Sequence, residues 1–287
     1  MPIARQRPAA HTLVRMVAAL AFAVASSLAI AQTIASDATP DEALDAAVNG
    51  PQRTEAFRAR DTYRHPRETL EFFGVKPTDT VVEIAPGAGW YTEILAPFLR
   101  DRGTLYEVLY QSKDPALASE FAQDEQHFKA KLANHPATFD HVIVDTLHAG
   151  RIAGLAPGSA DEVLTFRNIH NWIKDGQFDA NLRAFYTALK PGGVFGVEEH
   201  RARPNTTLDQ IIKTGYVPES YVIAHALAAG FKFDAQSDIN ANPRDTKDYA
   251  DGVWSLPPTL KGGDKDRAKM LAIGESDRMT LRFIKPQ

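Results

Sequence analysis

The 287-residue chain contains no cysteine, which excludes disulfides, thiolate-held zinc, iron–sulfur clusters and thiol catalysis. It has no surplus of positive charge either. Lys and Arg number 32 against 36 Asp and Glu, a net charge of −4, so no broad basic surface for nucleic acid follows. No apolar run reaches the roughly 20 residues that cross a bilayer. No His-x-x-x-His metal spacing occurs, and the dinucleotide turn G-x-G-x-x-G is missing. Internal repeats and low-complexity tracts are absent too. What remains is an ordinary globular composition, 44% hydrophobic and 24% charged, on a chain long enough to bury a sizeable core.

Arg5, Arg7 and Arg15 precede an apolar run from Met16 to Ala25, and Ala29-Ile30-Ala31 follows. A basic start, a short apolar middle and small closing residues form the pattern of a secretory signal peptide over residues 1–31. Cleavage near Ala31 is expected, leaving a periplasmic or secreted protein without a stable membrane anchor. The Arg-Arg pair of twin-arginine export is not there. Residues 32–53 read as a lead-in segment with one short helix, Pro40 to Val48.

Residues 54–287 read as one domain. Helices are expected over 54–60, 67–73, 91–99, 115–133, 178–189 and 219–229, the second and last closed by Gly74 and Gly230. Short β-branched or apolar runs mark strands at 80–84, 105–110, 141–144, 162–166, 194–197, 231–236 and 281–284. Lys190-Pro191-Gly192-Gly193 reads as a turn. Residues 240–275, rich in Asn, Pro, Gly, Asp and Lys, read as a long ordered C-terminal flap. Alternating strands and helices joined by short turns give an α/β fold with a doubly wound, mostly parallel sheet. Ligands of such sheets lie beyond the carboxyl ends of the strands, where strand order reverses.

Between the first strand and its helix stands Glu83-Ile84-Ala85-Pro86-Gly87-Ala88-Gly89-Trp90. Two glycines permit close backbone approach, and the helix start behind them offers free N–H groups. With its acid and spaced glycines, this stretch is similar to the first motif of class I S-adenosylmethionine-dependent methyltransferases, E/D-x-G-x-G-x-G. Ala160 to Asn168 resembles the family's fourth-strand motif, Leu189-Lys190-Pro191-Gly192-Gly193 its L-K-P-G-G turn, and Ala229-Gly230-Phe231 its lead into the sixth strand. The motifs run in order from about residue 55 to 287. More narrowly, Asp161 to Trp172 and Ser276 to Leu281 resemble a group of exported bacterial proteins described as predicted methyltransferases.

The resemblance implies a Rossmann-like class I methyltransferase fold and S-adenosyl-L-methionine as cofactor. It implies cofactor contacts from Glu83, Ala85, Pro86, Gly87, Ala88, Gly89 and Trp90, with Asp145 at the adenine amino group and Asn168 near the cofactor carboxylate. It departs from the family at two positions. Ala85 stands where glycine is preferred, and Leu109 falls where an acid usually grips the ribose hydroxyls. Gln111, Ser112 and Asp114 are the nearby polar residues that could substitute.

On the acceptor side, His170 follows the fourth strand, where an imidazole can take a proton from an acceptor; a histidine bonded to loop backbone fits the residues equally. Asn171, Glu199, His200 and Tyr216 are candidate substrate-binding residues. Glu198, Glu199 and His200 could hold a divalent ion with His170, but an ion-paired strand end with Arg201 and Arg203 is preferred, and no metal is expected. Arg64 or Arg67 could meet a carboxylate ligand, with surface solvation the default. Trp254 is expected to pin the flap.

The residues thus point to an exported methyltransferase acting on a small-molecule acceptor, with His170 as base and no nucleic-acid partner. The alternative is a non-catalytic periplasmic binding or accessory protein that kept the fold. A nicotinamide-dependent oxidoreductase fits less well, for want of the full glycine pattern and of an acid at the second strand's end.

Overall fold

The computed structural model describes Met1 and residues 39–287. The chain divides into two compact units, Met1–Ala43 and Leu44–Gln287. The described part of the first is Met1 and the stretch that opens helix α1 (Pro40–Asn49). The expected signal peptide lies outside the described residues. Among the described residues, no helix is long and apolar enough to cross a membrane.

In the second unit α1 is followed by the short helices α2 (Glu55–Arg58) and α3 (Asp61–Arg64), then α4 (Pro66–Phe73). The helix expected over 54–60 is present as α2, and α3 is a further helix without a mark in the sequence. The chain breaks between α2 and α3, and again at His65, which takes a left-handed conformation. Pro66 explains the second break. Its ring disfavours a helical residue before it, yet it suits the first position of a new helix.

An eight-stranded sheet follows, built from β1 (Thr80–Ile84), β2 (Thr104–Tyr110), β3 (Ile143–His148), β4 (Arg151–Ile152), β5 (Ala160–Phe166), β6 (Leu189–His200), β7 (Lys232–Ser237) and β8 (Arg278–Ile284). Its order is β4-β3-β2-β1-β5-β6-β8-β7. The five strands from β3 to β6 in that order run parallel. β4, β8 and β7 are joined antiparallel. Past the opening Thr80, β1 is wholly buried, as a strand covered on both faces must be. Helices α5 (Thr92–Leu99), α6 (Pro115–Asn134), α7 (Pro136–Phe139), α8 (Ile169–Lys174), α9 (Phe178–Ala188), α10 (Leu208–Thr214), α11 (Glu219–Ala228) and α12 (Arg267–Ile273) complete the unit. The main core joins Val82, Ile84, Val163 and Phe195 of the sheet to Trp172, Leu182 and Phe185 of α8 and α9. Each such side chain contributes roughly 1.5–3 kcal/mol on burial.

Several boundaries differ from those expected. The third strand lies at 143–148 rather than 141–144, because its first residues are exposed and apolarity gives a poor register there. Hairpin strand β4 went unrecognised, being two residues long. Lys190 to Gly193 is not a free turn. It lies inside β6, where the pairing with β5 steps from Ala160↔Leu189 to Glu162↔Val194. The bulge has a positive φ at Gly192, whose N–H donates to Lys285 O. The flap is ordered and contains a 3-10 turn, Gly252–Ser255, as well as α12.

Candidate active site

Strand order reverses between β1 and β5, with β2 and β3 on one side and β6 on the other. The glycine turn leaves β1 at this point. Gly87 and Gly89 have φ of 57° and 76°, values a side chain rarely tolerates. A Cβ on Gly89 would sit 3.0 Å from Phe128; one on Gly87 would meet nothing within 4 Å. Gly87 therefore borders open space, a cavity of about 210 Å³ lined also by Glu83, Ala85, Trp90, Arg64 and Asn168. Ala85 has φ 52°, so the alanine adopts the conformation that the family's glycine would take freely. That geometry costs roughly 1–2 kcal/mol for a residue with a Cβ.

Asn168 closes the gap between the strands. Its Nδ2 donates to Ile84 O at 2.9 Å and to Thr165 Oγ1 at 3.2 Å. Trp90 is buried, donates Nε1–H to Phe57 O at 3.0 Å, and lies between the guanidiniums of Arg53 and Arg64, 4.9 and 4.8 Å from its ring.

Behind the turn, Glu83 of β1 and Glu107 of β2 are register partners, both buried. Burial, and then the neighbouring Glu83, pushes the Glu107 carboxyl far above the usual range. Burial raises Glu83 to about 7. Glu107 is thus the protonated member of the pair. It backs the turn and does not reach the ribose slot. Leu109 is buried there, Asp114 is engaged as N-cap of α6 by Ala116 and Leu117 N–H at 3.0 Å each, and Ser112 is bonded to Asp114. The end of β2 offers no free acid.

A second cavity of about 260 Å³ adjoins the first through three shared arginines, Arg60, Arg64 and Arg167. His170 and His200 line it, their rings 5.3 Å apart. His170 lies on α8, a short helix that no pattern in the sequence marks. Glu199 is fully buried behind it. One Glu199 oxygen accepts from Ile169 N at 2.6 Å; the other lies 3.1 Å from His170 Nδ1 and accepts from His200 N at 2.8 Å. The carboxylate orients the imidazole with Nδ1 as donor, leaving Nε2 for the cavity. His200 Nδ1 is 2.6 Å from Ser276 Oγ. Burial, with His170 and Arg167 nearby, lowers its pKa well below the usual imidazole value and keeps it neutral. His170, Glu199 and His200 are close enough to share an ion, but Glu199 spends its oxygens on N–H donors and the surrounding arginines repel a cation.

Four predicted site residues lie elsewhere. Gly89 packs against Phe128 and is not part of the first cavity's wall. Asp145 does not line the first cavity. It stands within β3 and accepts from Thr146 N and Gly154 N, each at 2.7 Å, which ties down the β4 hairpin. Glu199 lines neither cavity and contacts His170 Nδ1 instead. Tyr216 is buried against Val253, its hydroxyl 2.9 Å from both oxygens of Asp245, so it anchors the flap. Asn171 does line the second cavity, while Pro86 and Ala88 line the first.

The sequence reading missed the arginine cluster. Glu275 accepts from Arg60 Nε at 2.6 Å, Arg64 Nε at 3.2 Å and Arg278 Nη1 at 3.2 Å. Glu198 accepts from Arg167 Nη1 at 2.8 Å and Arg278 Nη1 at 3.0 Å. The expected pairing of the strand end with Arg201 and Arg203 does not form at Glu198; Arg201 instead meets Glu219, Asp238 and Asp277. Burial alone would raise Glu275, but Arg64, Arg278 and Arg60 outweigh it and hold its pKa at about 2. Arg60 and Arg64 stand 215 and 211 residues from Glu275 in sequence, and no local pattern announces those pairs.

No protein-family profile matches the chain, and no curated protein matches it in sequence. Solved structures do match. A SAM-dependent methyltransferase from Aquifex aeolicus is 13% identical, with 87% of this chain and 100% of that one covered at a TM-score of 0.53. The cyclase SpnF is 15% identical, with 83% and 86% covered at 0.56. Likeness at these identities speaks to architecture. Sheet order, the turn after β1 and these neighbours agree: the chain has the Rossmann-like fold of class I methyltransferases.

Proposed function

We propose that this protein is an exported S-adenosylmethionine-dependent methyltransferase acting on a small-molecule acceptor. One observation carries the reading: a cavity over the glycine turn meets, through a shared wall, a second cavity bearing a carboxylate-oriented histidine. The first cavity suits the cofactor's zwitterionic end. Gly87 leaves the space open, Glu83 offers an acid for an ammonium, and Arg64 offers a guanidinium for a carboxylate. When bound, the cofactor supplies an already activated methyl group. The chain's own work is then to position the acceptor and to accept its proton at His170 Nε2, with Glu199 fixing the ring. Export rests on the pattern of residues 1–31, and N-terminal sequencing of the secreted protein checks it.

The deciding experiment is calorimetric titration with S-adenosylmethionine and S-adenosylhomocysteine. Micromolar binding, about −8 kcal/mol, is expected, and Gly87→Arg should abolish it while leaving the far-UV spectrum unchanged, since a side chain there enters open space. Absence of binding at millimolar ligand would overturn the reading and favour an accessory protein built on the same fold.

A further inference from the structure

We infer that the second cavity is an anion site, and that the acceptor is a small organic anion with an apolar or aromatic body. This rests on the methyl-transfer reading for the word acceptor, but not for the binding itself. Four guanidiniums, those of Arg60, Arg64, Arg167 and Arg278, are knit to two carboxylates, Glu198 and Glu275. Arginine stays charged in proteins, so these four guanidiniums outnumber the carboxylates they are bonded to by two, a surplus that Glu83 of the first cavity and Glu199 behind His170 offset only in part. Burial makes such a surplus costly unless an anion enters.

The donors that remain are placed for one. Arg64 is 3% exposed, and only its Nε is bonded, to Glu275. Among the described residues no hydrogen bond engages its Nη1 or Nη2, yet the side chain lines both cavities. The terminal nitrogens of Arg60 and the Nη2 of Arg167 are likewise unbonded and face the same shared wall. A guanidinium edge of this kind matches a carboxylate or phosphate. A bound cofactor does not cancel the surplus. Its sulfonium and ammonium outweigh its single carboxylate, so the site becomes more positive and the demand for an anionic partner grows.

The cavity's apolar side chains fix the rest of the ligand. Trp254, Val253 and the Pro257-Pro258 pair line the cavity, and Trp254 meets the His170 ring edge-on at 5.8 Å. Apolar side chains and guanidiniums lining one cavity select a molecule with a charged head and a flat or apolar body. The volume of about 260 Å³ lies below the roughly 300–1,000 Å³ of drug-sized sites, which suits a single ring.

Benzoate and its neutral twin benzamide form the test, titrated calorimetrically into the protein with and without saturating S-adenosylhomocysteine. Benzoate is expected to bind roughly tenfold or more tighter than benzamide, and to keep binding when the other cavity is filled. Trp254→Ala should weaken benzoate several-fold and leave S-adenosylhomocysteine affinity within about twofold, which places the anion in the second cavity. Equal affinity for the two probes, or no benzoate binding at tens of millimolar, overturns the inference. So does displacement of benzoate by S-adenosylhomocysteine, because the free guanidinium edges then serve the cofactor carboxylate alone. Preference for benzoate in a protein that binds no S-adenosylhomocysteine supports the anion site while striking down the methyl-transfer reading. The comparison of probes needs no variant, so a misfolded substitution cannot obscure it.

Discussion

His170 and Glu199 form the smallest unit of the site. The carboxylate is inaccessible, and its oxygens are engaged by the ring and by three backbone N–H groups. His170→Ala removes the proposed proton acceptor and is expected to lower turnover by about 10²- to 10⁴-fold with cofactor affinity retained. Glu199→Gln keeps an oxygen for the backbone donors but can present an N–H to the ring. It should therefore lower kcat more than KM and alter the pH–rate profile, the mark of a positioning residue. Steady-state kinetics on any acceptor found by screening checks both. Ala85 is the other residue-scale feature. The turn's sequence showed an alanine out of place, and the structure shows its cost as a positive φ.

Elements explain why other candidates drop out. Asp145 was expected at the adenine because acids often stand past the third strand. Here that strand continues to His148 and folds back as a hairpin, and the carboxylate holds the hairpin together. Asp145→Ala is expected to leave cofactor affinity within about twofold by titration while loosening the hairpin in hydrogen exchange. The flap depends on a different pair. Tyr216 donates to Asp245, which also accepts from Asp277 N and Lys247 N. Tyr216→Phe leaves that buried acid short of one donor, at a cost of about 1–3 kcal/mol, and limited proteolysis should then cut within residues 246–272 sooner than in the unaltered protein.

At the scale of the molecule, buried acids of opposite behaviour shape stability. Burial, then Asp79, raises Glu162 to about 10. The unfolded chain loses this proton near pH 4.5 while the folded chain keeps it, so stability falls as pH rises through that window, by up to about 1.4 kcal/mol per pH unit. Glu83 contributes the same sign only up to about 7. Between about pH 7 and pH 10 Glu162 and the strongly raised Glu107 share the falling limb, and Glu162→Gln should make it shallower in denaturant unfolding. Glu275 acts in reverse. Its pKa of about 2 means that stability present above pH 4.5 is lost as pH falls toward 2, and Glu275→Gln should remove much of the acid limb while weakening the arginine cluster.

Local pattern was enough to read the alternation of strands and helices, the turn after β1 and the placement of Glu83, Gly87, Asn168 and His170 near strand ends. Each is a local matter: period, β-branching, glycine spacing and the rule that ligands meet strands at their carboxyl ends. Tertiary structure alone decided which polar groups are free. Asp145, Glu199 and Tyr216 had the right chemistry, and each proved committed to a partner, while Arg64, read as solvated surface, proved buried with its terminal nitrogens unspent. Whether a side chain is satisfied depends on groups brought in from distant segments, as Arg60 and Arg64 are brought to Glu275, and a hydrogen bond across about 200 residues leaves no trace in local pattern.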